Sequence, residues 1–489
     1  MEILIGILRF IGVIFLVLLI FNLMIVVHEW GHFLAGRWRG LVIDRFQIWF
    51  GKPIWKKTYN GVQYGLGTIP AGGFVSLPQM APMEAIEGNT SDEVRKEPLP
   101  PITPLDKIIV AVAGPLFSFL LAVFFAVVVW VVKQPVDEAS ATTVIGSIAE
   151  ESPADKAGLK VGDDIQFING HKVKKFLGMN DSVKWLIISA ESDDIEVDVL
   201  RDGKEMTFTV NAPHPEAAAS EGNLLAKGWN SLSSRKQLRS IGVGPARTPV
   251  ISGTAEFSPA STLDFKEGDI VTGINGKPVK DLMDVVTYPL EVGKPIEYTL
   301  LRKGETLTVS VTPRMPDLPE DYKGDPDTGV LYDGGGIRKL VRINPLTQVA
   351  DSFRTIVNTL QKVINPKSGI GADQLSGPIG IMTLYYTLFQ HPDGWRLVLW
   401  FSIVLNVNLA ILNMMPFPVL DGGHIVMSLL EAVRRKPLNF KVLEIVQTAF
   451  VILLLGFMAF VSFKDVGDHV PDGGDGAASQ PPSFLPPQN

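Results

Sequence analysis

The sequence predicts a multi-pass α-helical membrane protein of about four transmembrane helices, with two tandem extracytoplasmic β domains. Two observations predict it. Apolar blocks stand at both ends of the 489-residue chain around a polar middle, and several short motifs occur twice within that middle. The hydrophobic share of 46% and the mean hydropathy of +0.23 are high for a chain with a polar middle, so the apolar residues must be concentrated in discrete segments.

Four segments are long and apolar enough to cross a bilayer, because about 20 residues of helix span a hydrocarbon core of about 30 Å. We place the first span in residues 1–36, the second in 105–133, the third in 396–432 and the fourth in 440–464. The first segment has neither a basic start nor a small-residue cleavage site. We therefore interpret it as an uncleaved span, although a signal peptide is the competing interpretation.

Lysine and arginine next to the spans predict the orientation, because short basic loops stay in the cytoplasm. Arg37, Arg39 and Arg45 follow the first span, and Arg434 and Arg435 precede the fourth. Both loops are expected to be cytoplasmic. Residues 133–396 and both termini are then extracytoplasmic, and the expected location is the bacterial inner membrane with the site towards the cytoplasm.

Composition excludes some kinds of chemistry. The chain has no cysteine, which excludes disulfides and cysteine-ligated metals. A net charge of -7, a pI of about 5.6 and the absence of a basic tract argue against nucleic acid as a partner.

The polar middle contains an internal repeat. The motifs Ser-Pro-Ala, Gly-Asp and Asn-Gly at 152–154, 162–163 and 169–170 recur 106 residues later in each case. Each copy ends in a hairpin signal flanked by alternating apolar residues, as half-buried strands require. Two small β domains are expected, at residues 138–213 and 238–315.

The first copy, with Ser-Pro-Ala followed by Ala-Gly-Leu-Lys-Val-Gly-Asp, resembles PDZ domains of the bacterial periplasmic-protease type. The second copy departs from this pattern, because Thr262-Leu263-Asp264-Phe265 replaces Ala-Gly-Leu. PDZ domains hold an extended peptide by adding it to a sheet edge. Peptide or substrate contact is one interpretation of the pair, and a rigid spacer or steric gate is the other.

The remaining extracytoplasmic segments are assigned by composition and spacing. Residues 316–342 are expected to be a linker, 366–395 a connecting segment, and 465–489 a disordered tail rich in Pro, Gly, Asp and Ser. Apolar residues at helical spacing predict an amphipathic helix at 343–365. We expect it to lie on the membrane surface or to pack on the second β domain.

The sequence His28-Glu29-Trp30-Gly31-His32 fits H-E-x-x-H, which places both histidines on one face of a helix so that they can bind one Zn²⁺. Zinc lowers the pKa of bound water to about 7, and a carboxylate such as that of Glu29 then acts as general base. The alternative is that this five-residue pattern is a chance match at the end of a span. Ionisable side chains at a span end are costly unless they have partners, which favours a metal site.

A catalytic zinc needs a third protein ligand and an open position. Asp421 is the best candidate, because the prolines and glycines of residues 416–423 break the helix there, and irregular backbone at membrane depth is tolerated where it lines a cavity. His424 is a rival ligand. A helix N-cap before the segment 425–430 is the structural alternative for Asp421.

H-E-x-x-H on a first span, together with Asn413-x-x-Pro-x-Pro-x-Leu-Asp421-Gly on a third, resembles the site-2 protease family of intramembrane metalloproteases. Two PDZ-like copies between spans point to its bacterial RseP-like branch. The resemblance covers nearly the whole chain except the tail. It implies that His28, His32 and Asp421 bind zinc, that Glu29 is the catalytic base and that Asn413 helps to hold the substrate. It also implies substrates that are single-span membrane proteins, such as trimmed anti-sigma factors or remnant signal peptides.

Two positions depart from the family pattern. Trp30 stands where this branch often has Phe, which H-E-x-x-H permits. Ser118 stands where relatives commonly carry Asn, so a polar contact at that position is not expected to carry over.

The family also has a β element that enters the membrane after the first span. Residues 37–104 contain a hairpin signal with an Asn60-Gly61 turn, followed by glycines. A sheet edge there can pair with substrate backbone and unwind a helix for cutting. We therefore predict that this region binds substrate, and an ordinary cytoplasmic hairpin is the alternative. The expected substrate-binding glycines are Gly65, Gly67, Gly72 and Gly73.

Three other functions are alternatives to a site-2 protease. The first is a membrane zinc protease that takes its third ligand from a glutamate. The second is a PDZ receptor or scaffold with a degenerate metal site, and the third is a cation transporter. The intact Glu29 argues against a scaffold, because a structural zinc site needs no base. A transporter requires acidic and histidine residues along several spans, and the second and fourth spans contain almost none.

Overall fold

The computed structural model describes residues 2–80, 99–215, 235–319, 324–435, 440–468 and 483–486. The chain forms two compact units. Unit one comprises Met1–Gln134, Arg342–Val357 and Leu375–Val466, and unit two comprises Pro135–Val341, Asn358–Gln374 and Gly467–Asn489.

Among the described residues, the long apolar helices belong to unit one, and four short helices belong to unit two. In chain order the helices are α1 Glu2–Arg39, α2 Pro104–Val132, α3 Glu138–Ala141, α4 Pro153–Ala157, α5 Val183–Ile188, α6 Leu282–Val286, α7 Pro345–Ile364, α8 Pro378–Gln390, α9 Gly394–Asn413, α10 Asp421–Arg434 and α11 Phe440–Gly467.

The strands of the described residues form one four-stranded sheet in unit one, and two four-stranded and three two-stranded sheets mainly in unit two. They are β1 Arg45–Phe50, β2 Trp55–Tyr59, β3 Val62–Leu66, β4 Ile69–Ser76, β5 Gln134–Asp137, β6 Ile145–Ile148, β7 Asp164–Ile168, β8 His171–Lys172, β9 Asp194–Arg201, β10 Lys204–Asn211, β11 Val243–Pro245, β12 Ile251–Thr254, β13 Ile270–Ile274, β14 Lys277–Pro278, β15 Ile296–Arg302, β16 Glu305–Val311, β17 Val330–Tyr332 and β18 Arg338–Val341.

Four of the described helices are long and apolar enough to cross a membrane, as the sequence predicts. The segments are Ile11–Arg39, Pro104–Val132, Gly394–Asn413 and Lys441–Gly467. Large apolar side chains on them, such as Leu19, Phe124 and Leu453, are more than half exposed. A lipid environment accounts for this exposure, because apolar side chains that face hydrocarbon need no protein cover.

The segment 366–395, expected to be only a connection, contains the helix α8. Its Tyr385 is fully buried, and the phenol hydroxyl hydrogen-bonds the Ser402 hydroxyl of α9 at 2.9 Å. The sequence analysis missed this helix, because Pro378 and Gly380 at its start are typical of a loop.

The segment after α1 folds into a four-stranded sheet with the order β2-β3-β1-β4. The predicted hairpin is present as β2 and β3, and its turn residues Asn60 and Gly61 have φ of 48° and 79°, as a two-residue turn of this kind requires. Strand β4 pairs only with β1 among the described strands and is therefore an edge of this sheet. Residues 81–98 of the expected loop lie outside the described part of the chain.

The two repeats have the same strand order. The first forms a sheet β10-β9-β7-β8 and the second a sheet β14-β13-β15-β16. In both repeats, the first strand pairs with a strand much further along the chain: β6 pairs with β11, and β12 pairs with β17. The completing strands therefore lie beyond the expected boundaries at 213 and 315, since these boundaries follow the hairpin motifs and take no account of long-range pairing.

The amphipathic helix α7 has contacts with α2 and α9 in its first part and with the first repeat in its later part. Its Val349 packs with Ala122 and Ile403 of α2 and α9 in unit one. In its later part, Lys362 donates to the Ser189 carbonyl at 3.0 Å, in the first repeat rather than the second. The prediction of a helix with one apolar face is confirmed, but the spacing of apolar residues does not identify the surface against which that face packs.

The tail also differs from its expectation over Ser483–Pro486, which we call the tail segment. Ser483 forms an isolated antiparallel bridge with Leu318, and Phe484 is buried. Helix α11 continues to Gly467. The remainder of the expected disordered tail, 469–482 and 487–489, lies outside the described residues.

A buried ion pair stabilises each repeat at the same place. Asp163 and Asp269 are 0% and 1% exposed, in the Gly-Asp motifs. Arg201 and Arg302 each bind the corresponding carboxylate through two nitrogens at 2.6 to 2.7 Å. The hydrogen bonds from Arg302 lower the pKa of Asp269. The hairpin arginine of each repeat therefore fixes the loop that carries the Gly-Asp motif.

We predict that Asp269→Asn destabilises the second repeat by about 3 kcal/mol, because it leaves the Arg302 guanidinium without its buried counter-charge. Hydrogen exchange of the β13 and β15 amides in the full chain measures the loss. Asp264→Asn is the matched control, since Asp264 binds the same arginine at 2.8 Å but has a side chain that is 62% exposed. It should cost less than about 1 kcal/mol.

The same pair predicts a pH dependence. Because the folded-state pKa of Asp269 is lowered, its stabilising effect is complete above the unfolded pKa of about 3.9 and is lost as the pH falls through the lower folded value. In acid the two variants should therefore become similar in stability, because Asp269 is protonated in both the folded and the unfolded state. Equal destabilisation by the two variants at neutral pH, or a difference between them that persists undiminished in acid, contradicts this assignment.

Candidate metal centre

Helix α1 carries the H-E-x-x-H motif on its last turns. His28 and His32 are one helical turn apart, and both are buried, at 7% and 8% exposure. Their Nε2 atoms lie 3.3 Å apart. The structure thus brings the two imidazoles together as the motif predicts.

Asp421 completes the cluster from a different part of the chain. Its two carboxylate oxygens lie 3.2 Å from His28 Nε2 and 3.3 Å from His32 Nε2. One ligand atom from each of the three residues lies within 4.8 Å of the others, and no other such group of three occurs among the described residues. Two imidazoles and one carboxylate are a donor set that can hold one metal ion.

The N-cap alternative for Asp421 is wrong. Asp421 is the first residue of α10, the N-cap position belongs to Leu420, and no side chain caps this helix end. The Asp421 carboxylate is therefore free to face the imidazoles.

The second nitrogen of each imidazole has its own partner on α2. His32 Nδ1 lies 2.8 Å from the Val110 carbonyl, which can only accept, so Nδ1 carries the hydrogen. His28 Nδ1 lies 2.9 Å from the Ser118 hydroxyl. These contacts orient both rings so that Nε2 faces the cluster. The expectation of no polar contact at Ser118 is wrong, since serine reaches the ring despite being shorter than asparagine.

Two glycines allow the close approach of the backbone segments. A Cβ on Gly114 of α2 would lie 2.2 Å from His32 Nε2 and 2.8 Å from His28 Nε2. A Cβ on Gly422 would lie 2.3 Å from the carbonyl oxygens of Met414 and Met415. Larger residues at either place would displace the side chains or the loop that carry the ligand atoms.

His424, the rival ligand, is not a member of the cluster of three. It is 5% exposed, and its Nε2 has no hydrogen-bond partner among the described residues. The geometry therefore favours Asp421 over His424.

The cluster lies on the wall of a cavity of about 220 Å³. Glu29 and Asn413 share this wall with Val75 of β4. The lining residues are Ile25, His28, Glu29, His32, Val75, Leu77, Met80, Leu409, Asn413, Val419, Leu420 and Asp421. Residues from α1, the β4 region, α9 and the loop before α10 thus surround one space.

The four glycines expected to bind substrate have different surroundings. None of them lines this cavity. A Cβ on Gly67 or Gly72 would overlap the Phe50 carbonyl or the Phe50 ring, so these two are needed for packing within the sheet. Gly73 lies near the Glu29 side chain, whose Cγ is 3.8 Å from a Cβ at that position. Gly65 makes only ordinary contacts.

Sequence analysis missed several residues that hold the site together. Lys107 of α2 binds Glu431 of α10 at 2.7 Å, and Arg39 of α1 binds Asp106 of α2. Gln447, 1% exposed within the apolar helix α11, donates to the Pro418 carbonyl in the loop before Asp421. A single glutamine in an apolar span was the available signal, because an amide at membrane depth needs a partner.

We predict that Ser118→Ala weakens metal binding by about 10- to 100-fold, because His28 loses the group that orients its ring. Competition against a chelator, followed by elemental analysis of the protein, measures the change. Ser402→Ala is a matched control, since it removes another buried serine hydroxyl that bonds only Tyr385 and its own helix. Unchanged metal affinity in Ser118→Ala would show that the hydroxyl does not support His28.

Curated relatives match the chain over most of its length. The "Regulator of sigma E protease" of Salmonella typhi is 26% identical and covers 91% of this chain and 96% of its own length. The "Protease RseP" of Yersinia pestis is 27% identical, with the same coverage. The "Regulator of sigma-E protease RseP" of Escherichia coli K12 is 25% identical, again with the same coverage.

Among solved structures, the PDZ domain of an SdrC-like protein from Listeria innocua matches at 22% identity and a TM-score of 0.16. The match covers 17% of this chain and 92% of that one, and at this TM-score it decides nothing about the repeats.

The model of peptidase family M50 matches residues 15–457, which include the H-E-x-x-H motif, both repeats and Asp421. Because this match extends over most of the chain, the protein belongs to peptidase family M50, the site-2 proteases.

Proposed function

We propose that the chain is a zinc-dependent endopeptidase that cuts membrane proteins within or beside the bilayer, with His28, His32 and Asp421 as zinc ligands. The observation that carries the proposal is the buried meeting of these three ligand atoms beside Glu29. Three protein ligands that leave one position open are typical of catalytic rather than structural zinc. A zinc ion, when bound, polarises a carbonyl and lowers the pKa of water.

The donor set fits a cation on this structure's own evidence. His32 Nδ1 donates to a carbonyl of α2, so its Nε2 directs an electron pair at the space that the Asp421 oxygens also face. His28 Nε2 lies 3.2 Å from the other Asp421 oxygen, and its Nδ1 is held by the Ser118 hydroxyl. Electron-pair donors this close repel one another unless a positive charge lies among them. Zinc suits two imidazoles and a carboxylate, and the absence of cysteine leaves no thiolate to compete.

Glu29 is the general base in this proposal. It follows the first ligand on the same helix and lies on the wall of the same cavity. A carboxylate so placed takes the proton from the attacking water and passes it to the leaving amine.

Glu29→Gln should retain zinc and lose cleavage of a single-span reporter by at least about 100-fold, because the amide cannot accept the proton. His28→Ala should lose both. Elemental analysis of purified protein and the appearance of the cut reporter in proteoliposomes give the two readouts. Cleavage at the wild-type rate in Glu29→Gln would overturn the mechanism.

Substrate positioning is assigned to the free edge of β4 and to Asn413. A peptide bond inside a helix hides its carbonyl, so a transmembrane substrate must become extended before it is cut. Strand β4 is an edge strand, its Val75 lines the cavity, and Asn413 faces the same space from the end of α9. An extended segment that adds to this edge is placed beside the zinc ligands.

We predict that Val75→Pro lowers cleavage by about tenfold or more while zinc is retained, because proline removes a backbone N–H at the edge of β4. Val75→Ala is the matched control, since it also loses apolar bulk but keeps the N–H. The ratio of the two cleavage rates, at equal zinc content, is the measurement. Equal losses in the two variants would assign the effect to packing instead.

The proposed substrates are single-span membrane proteins, such as anti-sigma factors already trimmed outside the membrane, or remnant signal peptides. The relatives named "Regulator of sigma E protease" and "Regulator of sigma-E protease RseP" support anti-sigma factors as substrates. The basic residues after the first span and before the fourth support a bacterial inner-membrane orientation with the zinc site towards the cytoplasm.

The two repeats are proposed to be extracytoplasmic PDZ-like domains. Their common strand order and their completion by a late strand support this assignment. In this position they either contact the trimmed end of a substrate or act as a steric gate that keeps untrimmed proteins from the site.

A further inference from the structure

The tail segment lies against the second repeat, immediately after β16. The Leu318 N–H donates to the Ser483 carbonyl at 3.1 Å, and the Ser483 N–H donates to the Leu318 carbonyl at 2.9 Å. The Asp317 N–H donates to the same Ser483 carbonyl at 2.9 Å. Backbone pairing of this kind holds an extended peptide whatever its side chains are.

The side chain of Phe484 gives the contact its selectivity. It is 5% exposed, and the Arg314 guanidinium lies 4.8 Å from the centroid of its ring. A Cβ at Gly329, whose φ is +77°, would lie only 3.2 Å from the ring. We call Arg314, Asp317, Leu318 and Gly329 the Phe484 site.

The charged residues of the Phe484 site bind one another and the tail. Arg314 and Asp317 form an ion pair at 3.3 Å, and Asp317 also accepts a hydrogen bond from the Leu485 N–H at 2.9 Å. The guanidinium is therefore held over the ring from one side by the carboxylate that binds the next tail residue. An arginine fixed in this way favours an aromatic ring over an aliphatic side chain.

The number of spans is consistent with this contact. The repeats follow the second span and the tail follows the fourth, so two crossings separate them and both lie on the same side of the membrane. The match to family M50 ends at residue 457, so the tail is not part of it.

We propose that the second repeat carries a binding site for an extended peptide with a phenylalanine side chain, and that the tail segment of the same chain occupies it as a ligand in cis. A peptide of the same chemistry from another protein then binds only by displacing the tail. The covalent link gives the tail a high effective concentration, which sets the threshold for any competitor.

A fluorescent peptide of residues 479–489 tests the proposal against the full chain in detergent. Phe484→Ala should bind it at least about tenfold more tightly than the wild type, because the variant no longer fills its own site. The peptide with alanine in place of Phe484 should bind neither protein. Leu485→Ala is the matched control, since Leu485 is 44% exposed, and it should bind the peptide as weakly as the wild type.

Hydrogen exchange provides a readout that is independent of the peptide. The Leu318 amide should be protected in the wild type and in Leu485→Ala, and it should exchange faster in Phe484→Ala. Adding Arg314→Gln to Phe484→Ala should weaken peptide binding again. Equal peptide binding by the wild type and Phe484→Ala, or no binding by Phe484→Ala, would overturn the proposal.

Discussion

The site depends on one constraint: two imidazoles and a carboxylate must remain close together where water is scarce. Electron-pair donors buried at 3.2 to 3.3 Å from one another are unfavourable without a shared cation. With a cation, the same closeness becomes strongly favourable, because burial reduces screening. Packing around the cluster must therefore resist its tendency to separate, and much of unit one performs that task.

The residues that resist separation act at two levels. Next to the ligands, α2 supplies the Val110 carbonyl and the Ser118 hydroxyl that fix the rings, and Gly114 allows this helix to lie against them. At the helix ends, the pairs Arg39–Asp106 and Lys107–Glu431 join α2 to α1 and to α10. Helix α2 carries no ligand, yet it contacts both helices that do.

Local chemistry explains what could be predicted from the sequence. The four spans are long and predominantly apolar, the Asn60-Gly61 turn encodes its own geometry, and residues four apart on a helix must share a face. His28, Glu29 and His32 follow from spacing alone. Asp421 could not be predicted from spacing, because its neighbours Pro418 and Gly422 indicate only a broken helix. The choice of Asp421 over His424 rested on a resemblance to a family until the structure showed where the carboxylate lies.

The remaining features depend on long-range contacts, which no local pattern carries. The strands β11 and β17 complete repeats that begin about 100 residues earlier, so the expected boundaries at 213 and 315 ended too soon. Helix α7 has the predicted apolar face, but its contacts with α2, α9 and the first repeat do not follow from the spacing of its apolar residues. The composition of the tail predicted disorder, because one phenylalanine among prolines and glycines is too weak a signal without the Arg314 that covers it.

The position of β4 explains why a sheet belongs beside a membrane site. A helical substrate satisfies its own backbone hydrogen bonds, and in lipid each broken bond costs several kcal/mol unless it is replaced. An edge strand supplies replacement donors and acceptors one residue at a time, so unwinding and capture occur in the same step. Val75 belongs to that strand and lines the same cavity as Glu29, so in the proposed function a segment that adds to this edge lies beside both the general base and the zinc ligands. Because pairing uses only backbone groups, this arrangement does not depend on the sequence that is cut. In the proposed function, selection among membrane proteins then has to come from elsewhere in the chain, and the two proposed PDZ-like repeats are the candidates for that role.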